Sequence, residues 1–247
     1  MSWNHKKAIE LIIVVFTFIL GASGCSTGPG IAQYPRDQID RPLNLPEGAI
    51  EFEVNKNFGL PNANWVFNWF QPIPLHFRWS YAVSDRLSVY WFILPLGLKY
   101  QLIKKEDHQL AFEFFNHFEA PELPAVNESL SFTDRFRLTS KWDLEAKVIF
   151  QIRLAFKENY TEYAIAAQVG PRWQILPRIS AKPWLGLLEE RAQSPSVNLR
   201  SLSSGINLSW SPLGSMDIEG NILRLGFGNR PQSLNNLLGM ATVRYRW

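Results

Sequence analysis

The amino-acid sequence predicts an all-β fold, an antiparallel transmembrane β-barrel of about twelve strands, with ten strands as the alternative. From residue 49 onward, apolar and polar residues alternate with a period of two, which is the pattern of strands with two unlike faces. No stretch beyond residue 49 has the period of about 3.6 residues that indicates an amphipathic helix. The strand count is even, as it is in single-chain bacterial barrels.

Residues 1–24 have the organisation of an export signal. Lys6 and Lys7 form a charged beginning, and the apolar run at residues 11–20 is too short to span a bilayer as a stable helix. We therefore predict that residues 1–24 are removed and take no part in the fold.

Cys25 follows the signal and is the only cysteine, so the chain has no disulfide framework and no thiolate metal cluster. Residues 22–25, Ala-Ser-Gly-Cys, resemble the lipobox of bacterial lipoproteins, in which the cysteine thiol is lipidated. The resemblance implies that Cys25 becomes an N-terminus acylated by fatty acids such as palmitate. It also implies that Ser26 directs the protein to the outer membrane through the lipoprotein-sorting machinery. The alternative is a free thiol beside an ordinary cleavage site.

Residues 25–48 are rich in Gly, Pro, Asn and Asp and show no periodicity. Such a composition is typical of a flexible tether. We predict that this tether joins the lipid anchor to one folded domain at residues 49–247, because nothing beyond residue 48 indicates a second domain or a repeat.

The predicted strands follow one another along the whole domain. In the first half, alternating segments start near residues 50, 73, 87, 98, 110 and 129. In the second half, they occupy residues 144–156, 163–174, 184–189, 199–210, 216–227 and 241–247. Short turns are predicted at residues 84–86, 104–107, 140–143, 176–182 and 211–214, with mostly longer loops between the other strands. Short turns are typical of the periplasmic end of a barrel, so we predict that both termini lie there.

The terminal strand places Val243, Tyr245 and Trp247 on one face, and Arg244 and Arg246 on the other. A terminal aromatic residue with apolar residues two and four places before it resembles the assembly signal of bacterial outer-membrane β-barrels. The resemblance implies that outer-membrane lipid surrounds the domain and that the barrel-assembly machinery is a partner. The alternative is the closing strand of a soluble β-domain.

Alternation alone does not distinguish a barrel in lipid from a soluble sandwich, because both have one apolar and one polar face. The apolar face of residues 144–156 continues for seven positions, which is longer than a typical sandwich strand allows. The opposite faces carry charges of both signs, and we predict that these line a lumen. The basic residues are Arg78, Lys99, Arg137, Lys147, Arg153, Arg172, Arg244 and Arg246, and the acidic residues are Glu113, Glu145 and Glu219.

The composition excludes some classes of function. The balance of 25 basic against 22 acidic residues argues against a nucleic-acid binder, which carries a dense basic stripe. Ten tryptophans and 14% aromatic residues fit a membrane protein, because Trp and Tyr prefer the membrane interface. No catalytic, phosphate-binding or metal-binding motif is present, so we predict no enzyme activity, no metal and no cofactor.

Two functions fit such a barrel. One is passive transport of small solutes with a preference for anions, because inward-facing arginines lower the barrier for anions. The other is a structural role in the envelope, with a lumen filled by paired Arg and Glu side chains. Locking of the basic face that bears Arg78, Arg153 and Arg172 against Glu113, Glu145 and Glu219 would exclude an open pore.

Two alternatives come from other classes of protein. One is a barrel lipid hydrolase that uses His117, close to Glu113, together with a serine. The other is a soluble periplasmic lipoprotein that binds an apolar ligand within a closed β-barrel.

Overall fold

The computed structural model describes residues 34–58, 75–91, 96–118, 125–155, 160–192, 197–228 and 237–247. The predicted export signal and Cys25 lie outside these ranges. The strands are β1 (Ile50–Phe58), β2 (Leu75–Ala82), β3 (Leu87–Trp91), β4 (Leu96–Lys104), β5 (His108–Phe118), β6 (Ala125–Arg137), β7 (Trp142–Ala155), β8 (Tyr160–Leu176), β9 (Ile179–Ala192), β10 (Val197–Leu213), β11 (Met216–Gly228) and β12 (Leu237–Arg246). A 3-10 helix, Gln38–Asp40, precedes them. No helix in these ranges is long and apolar enough to cross a membrane.

The twelve strands form one closed sheet. Each strand pairs antiparallel with its neighbours in the chain, and β1 pairs with β12. The closing register places Glu51 opposite Arg246. Just beyond it, the Ile50 and Trp247 backbones exchange two hydrogen bonds of 2.9 and 3.1 Å. The prediction of an antiparallel barrel of about twelve strands is confirmed, and closure leaves the sheet without an exposed edge.

Five short connections lie at the end of the barrel where β1 begins and β12 ends, which we call the termini end. They span residues 83–86, 105–107, 138–141, 177–178 and 214–215. Each predicted short turn overlaps one of them. The turn predicted at residues 176–182 was too long, because β8 and β9 stay paired up to Leu176 and Ile179 and leave only two residues between them.

The two faces of the wall are inverted relative to those of a soluble protein. The largest fully buried side chains of the described residues are all polar: Gln101, Asp143, Asp217, Ser80, Ser88, Ser180 and Ser211. On β7, Phe150 and Ile152 point outward and are 42% and 38% exposed, whereas Glu145 and Gln151 point inward and are buried. A continuous apolar outer surface is stable only in an apolar solvent. Apolar side chains therefore face outward and polar ones inward, as predicted.

Aromatic side chains gather on the outer face at the termini end. Trp142 and Trp173 stack in parallel with their ring centroids 5.4 Å apart. Trp79 packs edge-on against Trp247 at 5.6 Å, and the Tyr245 ring lies 5.7 Å from that of Trp247. Such rings are favoured at the boundary between lipid and water. This end of the apolar surface thus carries an aromatic border.

Residues 34–48, which we call the N-terminal segment, differ from the flexible tether that their composition predicts. Tyr34, Ile39 and Leu45 are buried, and the segment lies inside the barrel at the termini end. The folded unit therefore begins at or before Tyr34 and not at residue 49. The remaining part of the predicted tether, residues 25–33, lies outside the described ranges.

Glycines on the inner wall make room for Trp184. A Cβ at Gly205 would lie 2.7 Å from Trp184 Cζ2, and a Cβ at Gly186 would lie 3.3 Å from its Cζ3. At Gly170 a Cβ would come within 2.1 Å of the Pro183 carbonyl oxygen. Side chains do not tolerate the two shortest of these distances, so glycine lets the indole lie against the wall of β8 to β10.

Candidate functional site

The lumen contains a polar cavity of about 320 Å³, which we call the chamber. The N-terminal segment forms part of its lining, and the strands supply the rest. Nine basic side chains line the chamber: Arg41, Arg78, Lys99, Arg135, Lys147, Arg172, Lys182, Arg244 and Arg246. Five acidic side chains oppose them: Glu51, Glu113, Glu145, Asp217 and Glu219. Basic side chains thus outnumber acidic ones in the lining of the chamber.

The N-terminal segment crosses the mouth of the barrel at the termini end. The Leu43 N–H donates to Gln109 Oε1 on β5 at 2.7 Å, whereas the Arg41 guanidinium binds the Asp217 carboxylate on β11. In a closed barrel of twelve strands, β5 and β11 are six strands apart and lie opposite each other. Gln38 also donates to the Ser211 hydroxyl on β10 at 3.1 Å. The segment therefore spans the mouth instead of following one wall.

Turns at the rim hold the two ends of this segment. Arg178 has a left-handed φ of 71°, and its N–H donates to Asp37 Oδ1 at 2.8 Å. The Glu47 N–H donates to Asp85 Oδ1 at 3.0 Å. This N–H and the Lys104 ammonium hold the pKa of Asp85 below its ordinary value, because both favour the ionised carboxylate.

Two arginines from distant parts of the chain share the buried carboxylate of Asp217. Arg41 binds it from the N-terminal segment, and Arg246 Nη2 donates to it from β12 at 2.7 Å. Arg246 Nε also donates to Glu51 at 2.7 Å. The Tyr34 ring lies 5.1 Å from the Arg41 guanidinium carbon and 5.0 Å from that of Arg246. Charge-assisted hydrogen bonds and cation–π contacts thus fix the segment to the last strand.

A second row of ion pairs joins five strands, β11, β12, β1, β2 and β5. Arg244 donates to Glu53 at 2.5 Å and also binds Glu219. Arg78 donates to the same Glu53 at 3.0 Å and to Glu113 at 3.1 Å. Four residues that the sequence predicts for the lumen are therefore brought together, with Glu53 as the carboxylate that links them.

Glu145 is the centre of a third cluster on β6 to β9. Its carboxylate accepts hydrogen bonds from Arg135 at 3.0 Å, Arg172 at 2.8 Å and Lys182 at 2.7 Å. Asp143 lies 3.6 Å from Arg172 and 3.8 Å from Arg135, which is ion-pair distance without a hydrogen bond. One carboxylate thus compensates three buried cations, with limited help from a second.

The remaining predicted lumen residues lie in different places. Lys147 lines the chamber. Arg137 lies at the rim, where its Nη2 donates to Asp40 Oδ1 and to the Ile39 carbonyl, both at 2.7 Å. Arg153 belongs to β7, but its side chain lies outside the described part of the chain.

Sequence reasoning missed several charged residues of the lumen. Glu51 and Glu53 alternate with apolar residues in β1, and Arg135 shares the parity of Arg137 in β6. Asp217 likewise shares the parity of Glu219 in β11. The alternation of strand faces was thus a sufficient signal for these four residues. Lys182 was missed because the turn at residues 176–182 was predicted too long.

The histidines give no support to a catalytic site within the described residues. The side chain of His117 lies outside the described part, and Glu113 is bound by Arg78. His108 Nε2 lies 2.8 Å from Asp134 Oδ1, and its ring stacks on Phe136 at 4.2 Å. No group of three or more His, Cys, Asp or Glu residues in the described ranges could hold a metal ion.

Comparison with known proteins identifies the type of fold. An outer-membrane channel from Pseudomonas putida F1 is 12% identical, with 90% of this chain and 99% of that chain covered and a TM-score of 0.50. This chain has an outer-membrane barrel fold. Identity at this level shows the fold alone. No family model matches the chain, and no curated protein matches it.

Other structural neighbours are more distant. A loop-deletion mutant of the outer-membrane protein OmpT of Vibrio cholerae is 8% identical, with a TM-score of 0.48. The match covers 70% of this chain and 64% of OmpT, so this chain spans less than two thirds of that neighbour. The NanC porin is 7% identical, with 79% of this chain and 98% of that chain covered and a TM-score of 0.48.

Proposed function

We propose that this protein is an outer-membrane barrel that admits small anions into its lumen and is closed at the termini end by its N-terminal segment. The observation that carries the proposal is the basic excess around the chamber, which nine basic and five acidic side chains line and where two further carboxylates, Glu53 and Asp143, pair with lining arginines. Fixed positive charges along a lumen lower the barrier for anions. The termini end faces the periplasm in this proposal, because the short turns lie there.

An unobstructed pore does not fit the arrangement of the lumen. Arg78 and Arg172 are bound to glutamates, and the N-terminal segment spans the mouth. Conduction therefore requires this segment to leave the mouth.

The polar lining of the chamber also argues against a binding protein for apolar ligands, since burying an apolar ligand there would desolvate charged groups without compensating them.

The first test is conductance in a planar bilayer. Replacing residues 35–45 with a Gly/Ser sequence of the same length removes the contacts that hold the segment across the mouth. We expect the natural protein to conduct little, and the variant to give a sustained current with a reversal potential shifted toward the anion.

The control is the same replacement at residues 26–33, which should leave the conductance of the natural protein unchanged. A natural protein that conducts as much as the first variant would contradict closure by the segment. If the first variant folds but does not conduct, the proposed channel function is contradicted, and a structural role in the envelope remains.

The second test concerns the lipid anchor. We propose that Cys25 is the acylated N-terminus, as the lipobox at residues 22–25 implies. The nine residue-to-residue steps from Cys25 to Tyr34 span at most about 30 Å, enough to join the mouth of a barrel to the adjacent leaflet. The intact mass of protein extracted from membranes should exceed that of residues 25–247 by the acyl groups. The bare polypeptide mass with a free thiol would exclude the anchor.

A further inference from the structure

The charges of the described lumen nearly balance in pairs. Seven basic side chains each lie within ion-pair distance of an acidic one: Arg41, Arg78, Arg135, Arg172, Lys182, Arg244 and Arg246. Their partners also number seven: Glu51, Glu53, Glu113, Asp143, Glu145, Asp217 and Glu219. These two sets cancel, so any surplus charge belongs to the basic side chains outside them.

Two lysines remain after this pairing. Lys99 on β4 and Lys147 on β7 both line the chamber, and neither has an ion pair or hydrogen bond with any described residue. Glu113 is opposite Lys99 in the register and interacts electrostatically with both lysines, but its carboxylate accepts a hydrogen bond from Arg78. The surplus of two positive charges in the described lumen is therefore carried by these two ammonium groups.

Neutral hydrogen-bonding side chains flank Lys147 in the wall of the chamber. Its neighbours in the register are Thr133 on β6 and Gln168 on β8, and both line the chamber together with Asn207 on β10. A hydroxyl and two amides can donate hydrogen bonds to an oxyanion without adding a competing negative charge. The chamber wall beside Lys147 thus offers donors as well as charge.

We propose that Lys99 and Lys147 form a binding site in the chamber for a small dianion whose charges are carried by oxygen atoms, such as phosphate or a short dicarboxylate. The proposal rests on the proposed entry of anions into the lumen and names the class of anion that binds there. Two opposite charges would neutralise the surplus, whereas a monoanion would leave one cation uncompensated in an environment of low dielectric constant. The volume of about 320 Å³ admits a small molecule.

The chemistry of lysine fits this role. An ammonium group is a compact point charge on a flexible stem, with three donors that adapt to different oxyanions. The described arginines that line the chamber are held by two carboxylates or by a carboxylate and the N-terminal segment, so they are not free to follow a ligand. Among the described cations of the chamber, Lys99 and Lys147 are therefore the ones that can accept and release an anion during passage.

The test is isothermal titration of the full-length protein in detergent with inorganic phosphate, succinate and acetate. We expect phosphate or succinate to bind at least about tenfold more tightly than acetate, because only a dianion neutralises the charge of both lysines. The double variant Lys99→Gln/Lys147→Gln should weaken that binding by at least about tenfold. Comparing the two dianions distinguishes an inorganic oxyanion from a dicarboxylate.

Lys104→Gln is the matched control, because Lys104 is a lysine at the rim that is paired with Asp85 at 3.1 Å and does not line the chamber. This variant should bind as the natural protein does. Unchanged affinity in the folded double variant, or equal affinity for acetate and the dianions, would overturn the proposal. Binding of the dianion by a protein that does not conduct would contradict the proposed channel and support the binding site. Conductance by a protein that does not bind the dianion would contradict the binding site alone.

Discussion

Replacing Glu145 with glutamine is expected to lower the free energy of unfolding by about 3–5 kcal/mol. The carboxylate compensates Arg135, Arg172 and Lys182 at distances of 2.7 to 3.0 Å, and all of these side chains are largely buried. Glutamine keeps the shape but removes the charge, so that three cations are left with Asp143 alone. Denaturant titration in lipid vesicles measures the change.

Glu189→Gln is the matched control for this substitution. Glu189 also binds two arginines, Arg191 and Arg200, but their side chains are 63% and 71% exposed. Exposed ion pairs contribute little to stability, so the control should change the unfolding transition hardly at all. In a double-mutant cycle, Arg172→Gln should cost less in the Glu145→Gln background than alone. Equal effects of the two glutamine substitutions would contradict the view of Glu145 as a buried centre.

Arginine in place of Val148 or Phe150 is expected to cost about 2–4 kcal/mol per site if the residue meets the middle of the bilayer. Both residues lie in the central part of β7, and Phe150 points outward with 42% of its surface exposed. A guanidinium in hydrocarbon loses its hydration and finds no partner there. Reversible unfolding from vesicles, followed by tryptophan fluorescence, measures the difference.

Leu138→Arg provides the comparison at a different depth. Leu138 is 60% exposed and follows β6 at the termini end. The same change near the interface should cost only about 0–1 kcal/mol, because the guanidinium reaches water there. A protein that folds without detergent or lipid, or that loses equal stability at both positions, would contradict a lipid-facing outer surface.

The fold could be predicted from the sequence because each barrel strand has one face toward lipid and one toward the lumen, and its residues alternate between apolar and polar accordingly. In β7, every second residue from Leu144 to Leu154 is apolar, and the parity of the strand is the same in the structure. The limits of β8 and β9 were predicted less well. Pro183 and Gly186 weaken the strand pattern of residues 179–186, yet all of these residues pair with β10, and residues 179–181, 185 and 186 pair with β8 as well.

The candidate site could be predicted only in part. Arg78, Glu113, Glu145 and Arg172 were found because face parity predicts which charges point inward. The role of residues 34–48 was not found, because no local pattern marks it. The burial of this segment depends on partners such as Gln109 and Asp217, which lie 66 and 176 residues away from the residues they bind. Composition describes the freedom of an isolated peptide and does not report such distant contacts.

The position of Tyr34 between the guanidinium groups of Arg41 and Arg246 has a consequence for the order of folding. Arg246 belongs to the last strand, so this binding position for Tyr34 is complete only after β12 has joined β1. Contacts between residues far apart in the sequence form slowly, because a long loop must close first. The earliest residues of the folded domain are therefore expected to take their places last. An assembly intermediate that lacks β12 would then have an uncovered mouth, and the arrival of the C-terminus would allow the N-terminus to cover it.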